Sequence, residues 1–250
     1  MARRFETAVV VGASSGIGEA LARRLASEGC RVALVARRED RLAAITGEIN
    51  AAAGEERSKA WTHDVRRWEQ VPELFEAICR WLGGLDLIVY ASGMAYPVRF
   101  REFDTAKDLE VYEVNFLGAV AWLNPAAVRF GRLGRGTIVG IGSVAGDRGR
   151  SNNPAYNTSK AALHTYLEAL RNRIARTGAR VVTIKPGFVD TEMVAEMKNL
   201  LWLIPPQRAA EIILKKARRG VVTAYVPARW RLVSWVVRSI PSRLFRYLKV

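Results

Sequence analysis

The chain has 250 residues, half of them hydrophobic and a quarter charged, a globular composition that excludes a disordered chain and suits one α/β core. Cys30 and Cys79 are the only cysteines and stand in no metal or redox spacing, which excludes a disulfide framework and points to a reducing compartment. With 39 Lys and Arg against 24 Asp and Glu the net charge is +15, so an anionic partner is expected: a phosphorylated cofactor, an anionic lipid surface or nucleic acid.

The segment from Met1 to Glu6 is too short and polar for a secretory signal, and no uncharged apolar run reaches the roughly 18 to 20 residues of a spanning helix. A cytoplasmic protein is expected, with peripheral contact to the cytoplasmic face of a membrane left open. Residues 7–11 form a β-branched run that feeds a helix over 16–28 through a glycine turn. A strand over 31–36 and a helix over 40–53 follow. Further strands are expected at 58–62, 85–90, 137–141, 180–184 and 221–225, with helices over 68–81, 106–130, 155–177 and 206–218. Strands alternating with helices predict a doubly wound parallel sheet covered on both faces, its ligands bound outside the carboxyl ends of the strands.

The first turn, Gly12-Ala13-Ser14-Ser15-Gly16-Ile17-Gly18, has glycines where a backbone must bend sharply and let a pyrophosphate reach a helix N-terminus. At the end of the second strand an NAD site places an acid for the ribose 2′-hydroxyl. Ala36 stands there, followed by Arg37 and Arg38. A carboxylate would repel a 2′-phosphate, whereas an arginine bonds it for about 1.5–3 kcal/mol, so the cofactor expected is NADP(H). The alternative is that both arginines only open a solvated helix face.

Tyr156 and Lys160 are four apart on one helix face, and Ser143 stands thirteen residues before the tyrosine, just past a strand end. Carbonyl reduction needs a proton donor and a second donor beside the oxygen that gains charge. A lysine within about 4–6 Å of a tyrosine of pKa about 10 favours the phenolate. A surface Tyr/Lys pair is the plainer alternative for these two residues alone.

Taken together, Gly12-(x)3-Gly16-Ile17-Gly18, Asp64-Val65, Ala91-Ser92-Gly93, Asn115, Ser143, Tyr156-(x)3-Lys160 and Pro186-Gly187-Phe188-Val189-Asp190-Thr191 resemble the short-chain dehydrogenase/reductase family over nearly the whole chain, in its NADP-preferring carbonyl-reductase form. The resemblance implies a Rossmann-type fold and hydride transfer between a nicotinamide and a carbonyl or alcohol. It implies Tyr156 as acid/base, Ser143 on the substrate oxygen, Lys160 on the nicotinamide ribose while lowering the tyrosine pKa, and Asn115 holding a relay water. Asp64 and the Val65 backbone would meet the adenine. Pro186, Gly187, Val189 and Thr191 would fix the carboxamide. The sequence departs from the family pattern at Tyr90-Ala91-Ser92-Gly93 and at Val11, which bears on local hydrogen bonds. The long helices around Asn115 and Tyr156 resemble those that pair subunits, so a homodimer or homotetramer is expected.

Residues 1–226 are read as the catalytic domain. A lid over about 191–206 carries Met193, Val194, Met197, Leu200, Leu201, Trp202, Leu203 and Ile204, with Tyr96, Phe100 and Phe103 as the opposite wall. Its apolar content favours a lipophilic ketone or secondary alcohol, such as a long-chain 3-keto lipid or a sterol-like ketone; covering the core is the alternative. Trp61, Trp68, Trp81 and Trp122 read as packing, His63 and His164 carry no partner motif and so no metal, and Ser234 needs no role.

From Pro206 onward eleven basic residues face the single acid Glu211. Residues 227–250 form a basic amphipathic tail, with Leu232, Val233, Val236, Val237, Ile240, Leu244 and Leu248 on one side of a helical projection. Arg231, Arg238, Arg246 and Lys249 lie on the other, with Trp235 at the edge. Such a segment lies in a membrane interface or packs on a subunit. A different class of function, a non-catalytic NADP(H) sensor or an anionic-surface or nucleic-acid binding module on the same fold, predicts salt-sensitive binding without turnover. No aromatic-interleaved basic motif favours nucleic acid.

Overall fold

Seven strands pair in parallel in the order β3-β2-β1-β4-β5-β6-β7 in a computed structural model that describes residues 4–99, 101–197 and 199–248. The strands are β1 (Thr7–Val11), β2 (Arg31–Ala36), β3 (Ser58–Thr62), β4 (Leu87–Tyr90), β5 (Thr137–Ile141), β6 (Arg180–Pro186) and β7 (Thr223–Val226). The helices between them are α1 (Gly16–Ser27), α2 (Glu39–Ala53), α3 (Val71–Leu82), α4 (Thr105–Tyr112), α5 (Gly118–Leu133), α6 (Pro154–Ile174) and α7 (Pro206–Arg219). Two short helices, α8 (Trp230–Ser239) and α9 (Ser242–Phe245), complete the chain.

Strand residues alternate between two cores because successive side chains leave a pleated strand on opposite faces. Val10, Leu34, Leu87, Val139 and Val182 join α1, α2 and α7 on one side. Val9, Val11, Val35, Ile88, Tyr90 and Ile138 join α3, α5 and α6 on the other. With both faces covered, the strands are nearly continuous apolar runs, as a parallel sheet requires. The strand order reverses between β1 and β4, whose pairing ends at Val11 and Tyr90. There the crevice opens, outside the strands' carboxyl ends.

The structure corrects several sequence expectations. Strand β4 starts two residues later than periodicity indicates, since Leu85 and Asp86 form the turn into it, and β7 starts at Thr223 rather than at residue 221. The helix expected over 106–130 runs from Thr105 to Leu133 but is widened into a π turn over Glu113–Leu117. Of the four tryptophans read as packing, only Trp122 is fully buried, while Trp68 is 40% exposed. In the tail the buried side is Trp230, Ser234 and Phe245, not the most apolar stripe: Leu232, Val236, Leu244 and Leu248 face outward. Phe100 and Lys249 lie outside the described residues.

Candidate active site

The glycine turn crosses closely over the start of α1. Gly12 adopts φ +91, and a Cβ there would meet the Ser92 backbone nitrogen at 2.5 Å; a Cβ at Gly18 would collide with the Gly12 carbonyl. Both positions therefore demand glycine. Ser15 caps α1 without a side-chain hydrogen bond, which leaves the first-turn amides without a capping acceptor, the groups an anion would bind. Ser14 is buried and Ile17 packs against the core. These features fit a dinucleotide pyrophosphate.

The two arginines after β2 part ways. Arg38 folds back over the turn, donating from Nε to Ser14 Oγ (3.2 Å) and from Nη2 to Ser15 Oγ (2.6 Å). Its Nη1 reaches Glu192 Oε2 at 2.9 Å. Arg37 lies 3.9 Å from the Asp64 carboxylate. That carboxylate is already gripped by Arg66, whose Nη2 donates to Oδ2 at 2.7 Å, and the Arg66 hydrogen bonds hold its pKa below the usual range despite partial burial. The sequence reading missed Arg66; the Asp-x-Arg spacing is its only signal.

At the ends of β4 and β5 the remaining site residues converge. The Ala91 amide donates to Val11 O at 2.7 Å. The buried Tyr90 donates from its hydroxyl to the Val114 carbonyl at 2.5 Å. This bond anchors the π turn beside Asn115, a place where such turns commonly serve function. Asn115 is fully buried; its Oδ1 accepts from the Met94 amide (2.7 Å), and its Nδ2 donates to Met94 O (2.9 Å) and Ser159 Oγ (3.0 Å). A Cβ on Gly93 would stand 3.2 Å from Lys160 Nζ and 3.4 Å from Asn115 Oδ1, so Gly93 leaves these two room.

Ser143 stands two residues past β5 and caps the short turn Val144–Asp147, its Oγ accepting from Ala145 N at 3.1 Å. Tyr156 sits in the first turn of α6, which Asn153 caps from its Oδ1. Burial pushes the Tyr156 phenol upward, while a hydrogen bond with Ser143 and the charge of Arg150 pull it back. Lys160 is buried, donates to Ile141 O at 3.0 Å and lies 5.7 Å from the centre of the Tyr156 ring. Burial lowers its pKa to about 8.

His164, read from sequence as partnerless, lies behind this centre with Nε2 3.4 Å from the Ser143 amide. Beneath it is a buried cluster: Asp147 takes Lys185 Nζ and, at 2.9 Å, the Tyr225 hydroxyl, and the buried Ser234 lies near enough to help lower the carboxyl pKa. Ser234 therefore has a role that the sequence reading denied it. On the far side Pro186 ends β6, and the Gly187 amide donates to Val226 O at 2.9 Å. The bare face of Gly187 is covered by the Trp230 indole, since a Cβ there would strike its ring. Val189 is buried and bridges Ile204, which zips together the two ends of the segment expected to be a lid, and Thr191 leans on Gly16. Within it Met193, Met197, Leu201 and Leu203 are exposed, and so is Phe103 opposite, at 94%.

Residues 6–200 match the family described as short chain dehydrogenase. The chain belongs to the short-chain dehydrogenase/reductase family. An uncharacterized oxidoreductase of Myxococcus xanthus (strain DK1622) is 33% identical over 242 residues, 96% of this chain and 95% of that protein. One of Staphylococcus epidermidis is 32% identical over 188 residues, 75% and 80% of the two chains. A solved short-chain type dehydrogenase/reductase from Mycobacterium ulcerans superposes with a TM-score of 0.83 over 99% of this chain and 100% of that one, at 22% identity. A variant of actinorhodin polyketide ketoreductase solved with NADPH gives 0.78 over 90% and 97%, at 28% identity. This short-chain dehydrogenase/reductase is accordingly an oxidoreductase of a family that uses NAD(P), and its parallel sheet is the Rossmann-type sheet of its relatives.

Proposed function

We propose that this short-chain dehydrogenase/reductase reduces a ketone, or oxidises the matching secondary alcohol, on a lipophilic substrate with NADP(H). The observation that carries the reading is Tyr156 in the first turn of α6, with the buried Lys160 5.7 Å from its ring centre and the buried Ser143 near enough to lower its pKa. Gly12, Ser14, Ser15, Gly16, Ile17 and Gly18 would hold the pyrophosphate at the α1 amides, with Asp64, Val65, Ala91, Ser92 and Gly93 along the adenosine side. Pro186, Gly187, Val189 and Thr191 would face the nicotinamide. Arg37 and Arg38 supply the cationic corner that a 2′-phosphate needs.

When bound, the cofactor supplies the hydride. Tyr156 gives its proton to the substrate oxygen, and Ser143 donates a hydrogen bond to that same oxygen as it gains charge. Lys160 binds the ribose, and its pKa of about 8 lets it exchange a proton near neutral pH far more readily than an exposed lysine. Asn115 holds the Met94 backbone beside Lys160 and, in this reading, a water that relays the proton to solvent. The exposed methionines and leucines between residues 193 and 203 favour an apolar substrate body. Exposed Leu109 on α4, Leu117 in the π turn, and Val128 and Leu133 on α5 support pairing of subunits through this helix.

The tail supports a second part of the reading, attachment to an anionic membrane. No helix among the described residues is long and apolar enough to cross one. Leu232 and Trp235, each 66% exposed, stand with Leu244 and Tyr247 beside the exposed Arg231, Arg238, Arg243 and Arg246. That pairing of apolar and basic groups suits a lipid interface.

The test is oxidation of NADPH and NADH with ketones from short keto acids to long-chain keto lipids in detergent. Turnover favouring NADPH, rising with chain length and lost at least 100-fold in Tyr156→Phe with cofactor affinity retained, is expected. Tight NADPH binding with no turnover of any carbonyl would favour the sensor alternative.

A further inference from the structure

Arg150 lies on the loop between Ser143 and Tyr156, seven residues past the first and six short of the second. Its guanidinium is laid against the first turn of α6, where Nη2 donates to Oδ1 of Asn157, the neighbour of Tyr156, at 3.3 Å. Asn157 is buried and answers through Nδ2, which donates to the carbonyls of Arg150 (3.4 Å) and Asn152 (3.0 Å). Loop, arginine and helix are thus tied together at the tyrosine.

Among the described residues no carboxylate pairs with Arg150, and its Nε is buried without a hydrogen-bond partner. Asp147, three residues away, is committed to Lys185 and Tyr225. Withdrawing a guanidinium from water without a counter-charge is costly. Burial accordingly holds its pKa below the usual arginine value, and Tyr156 is the one group opposing that shift. A planar cation tied to the helix turn that carries Tyr156, with its charge unpaired and its Nη1 in no hydrogen bond among the described residues, is arranged for an anion that arrives with the substrate.

We propose that Arg150 binds an anionic group, carboxylate or phosphate, that the substrate carries close to its reacting carbonyl. The inference rests on the reductase reading and narrows it. The substrate becomes an amphiphile: an apolar body toward the segment around Met193 and Leu203, and an anionic head toward Arg150. Carboxylate and phosphate share the chemistry that a guanidinium recognises, and the experiment separates them.

Wild type, Arg150→Met and Arg150→Lys are compared on a long-chain keto acid, the matching keto phosphate and the neutral methyl ester of the keto acid. The wild type prefers one of the anions over the ester, and that preferred anion names the head group. Arg150→Met lowers kcat/KM on it about 10- to 100-fold more than on the ester, through KM, while Lys recovers part of the loss. Equal losses on all three substrates, with the pH profile moved to higher pH, would overturn the proposal and make Arg150 a tuner of the Tyr156 proton. Binding to the NADP-loaded protein needs no turnover, so it separates this idea from the reductase reading: dodecanoate or dodecyl phosphate should bind at least tenfold tighter than dodecanol, and lose that advantage in Arg150→Met. Equal affinity for the alcohol and both anions in the wild type would overturn it.

Discussion

The imidazole Nε2 of His164 accepts the backbone N–H of Ser143 at 3.4 Å, so a residue on α6 holds the Ser143 loop from behind. Gly142 and Gly146 allow the ring this close, since a Cβ on either would run into it. Burial first, and then the charge of Lys185, lower the imidazole pKa to about 3. It therefore stays neutral, and its lone pair stays available, across the working range.

Replacing His164 by Leu leaves the Ser143 amide without its partner and should cost about 1–3 kcal/mol of stability. Turnover should fall together with it. The pH dependence has a definite sign. The unfolded imidazole takes up a proton below about 6.5, whereas the folded one does so only near 3. Stability present above about pH 6.5 is therefore lost as pH falls toward 3, at no more than about 1.4 kcal/mol per pH unit from this group. Urea midpoints at pH 7 and pH 5 check this: the drop between them should be smaller in His164→Leu than in the wild type.

Glu192 opens the segment after Thr191 and places its carboxylate on Arg38 at 2.9 Å, with Arg41 at 3.9 Å. An anion thus already sits on the arginine that would meet a 2′-phosphate. Exposed pairs of this kind contribute at most about 1 kcal/mol, so competition between the two anions is modest but measurable. Glu192→Gln should tighten NADPH about two- to fivefold and leave NADH within twofold, read by nicotinamide fluorescence titration. Arg38→Ala should weaken NADPH selectively. An NADPH affinity that ignores both changes would sink the assignment of the phosphate to this corner.

The Asp147 carboxylate is only 3% exposed and carries Lys185, Tyr225 and Ser234 from three different elements. Removing one charge from a buried pair leaves the other uncompensated, at about 3–5 kcal/mol. Asp147→Asn should therefore lower the urea midpoint far more than Ser234→Ala, which removes one neutral hydroxyl near the carboxylate at a cost of at most about 1–2 kcal/mol. The carboxyl pKa is depressed by Lys185 and Ser234 against the effect of burial. Its contribution is therefore present above the ordinary carboxylate pKa of about 4 and lost as pH falls below it. Acid denaturation curves should separate Asp147→Asn from the wild type only above that range.

The sheet could be read from sequence because β-branched runs such as Thr7–Val11 and Arg31–Ala36 are buried on both faces and bounded by glycine turns. The candidate centre could be picked out because Tyr156 and Lys160 are local on one helix and Ser143 stands two residues past a strand. What escaped depends on contacts across the fold. Nothing near Val114 signals a π turn, and the hydroxyl bonded to its carbonyl comes from Tyr90, 24 residues earlier. His164 and Ser234 look ordinary until β6 and β7 bring Lys185 and Tyr225 beside Asp147. The tail misled because a helical projection assumes that the most apolar stripe turns inward. Here Trp230 is drawn into the bare face of Gly187 and against Phe188 and Trp202, at ring distances of 5.6 and 5.5 Å, and this fixes the rotation of α8.

That rotation decides how membrane attachment is tested. Arg148 donates to the Val237 and Ile240 carbonyls at 2.7 and 2.5 Å and stacks on Phe245 at 4.0 Å, so the tail is bolted to the loop that carries Ser143. Removing everything after Val226 would strip Trp230, Ser234 and Phe245 from the enzyme along with any lipid contact, and lost flotation would then report damage. Leu232→Glu with Trp235→Glu changes only outward-facing side chains, and should leave the thermal midpoint within a few degrees. The pair should abolish co-flotation with anionic phospholipid vesicles at 0.1 M salt. Neutral vesicles should bind the wild type weakly, because each arginine near an anionic surface contributes about 1 kcal/mol. Unchanged flotation of the double variant would exclude this face as the lipid contact. A dimer that falls apart on the same substitutions, with no vesicle binding by the wild type, would assign the face to a second copy of the chain instead.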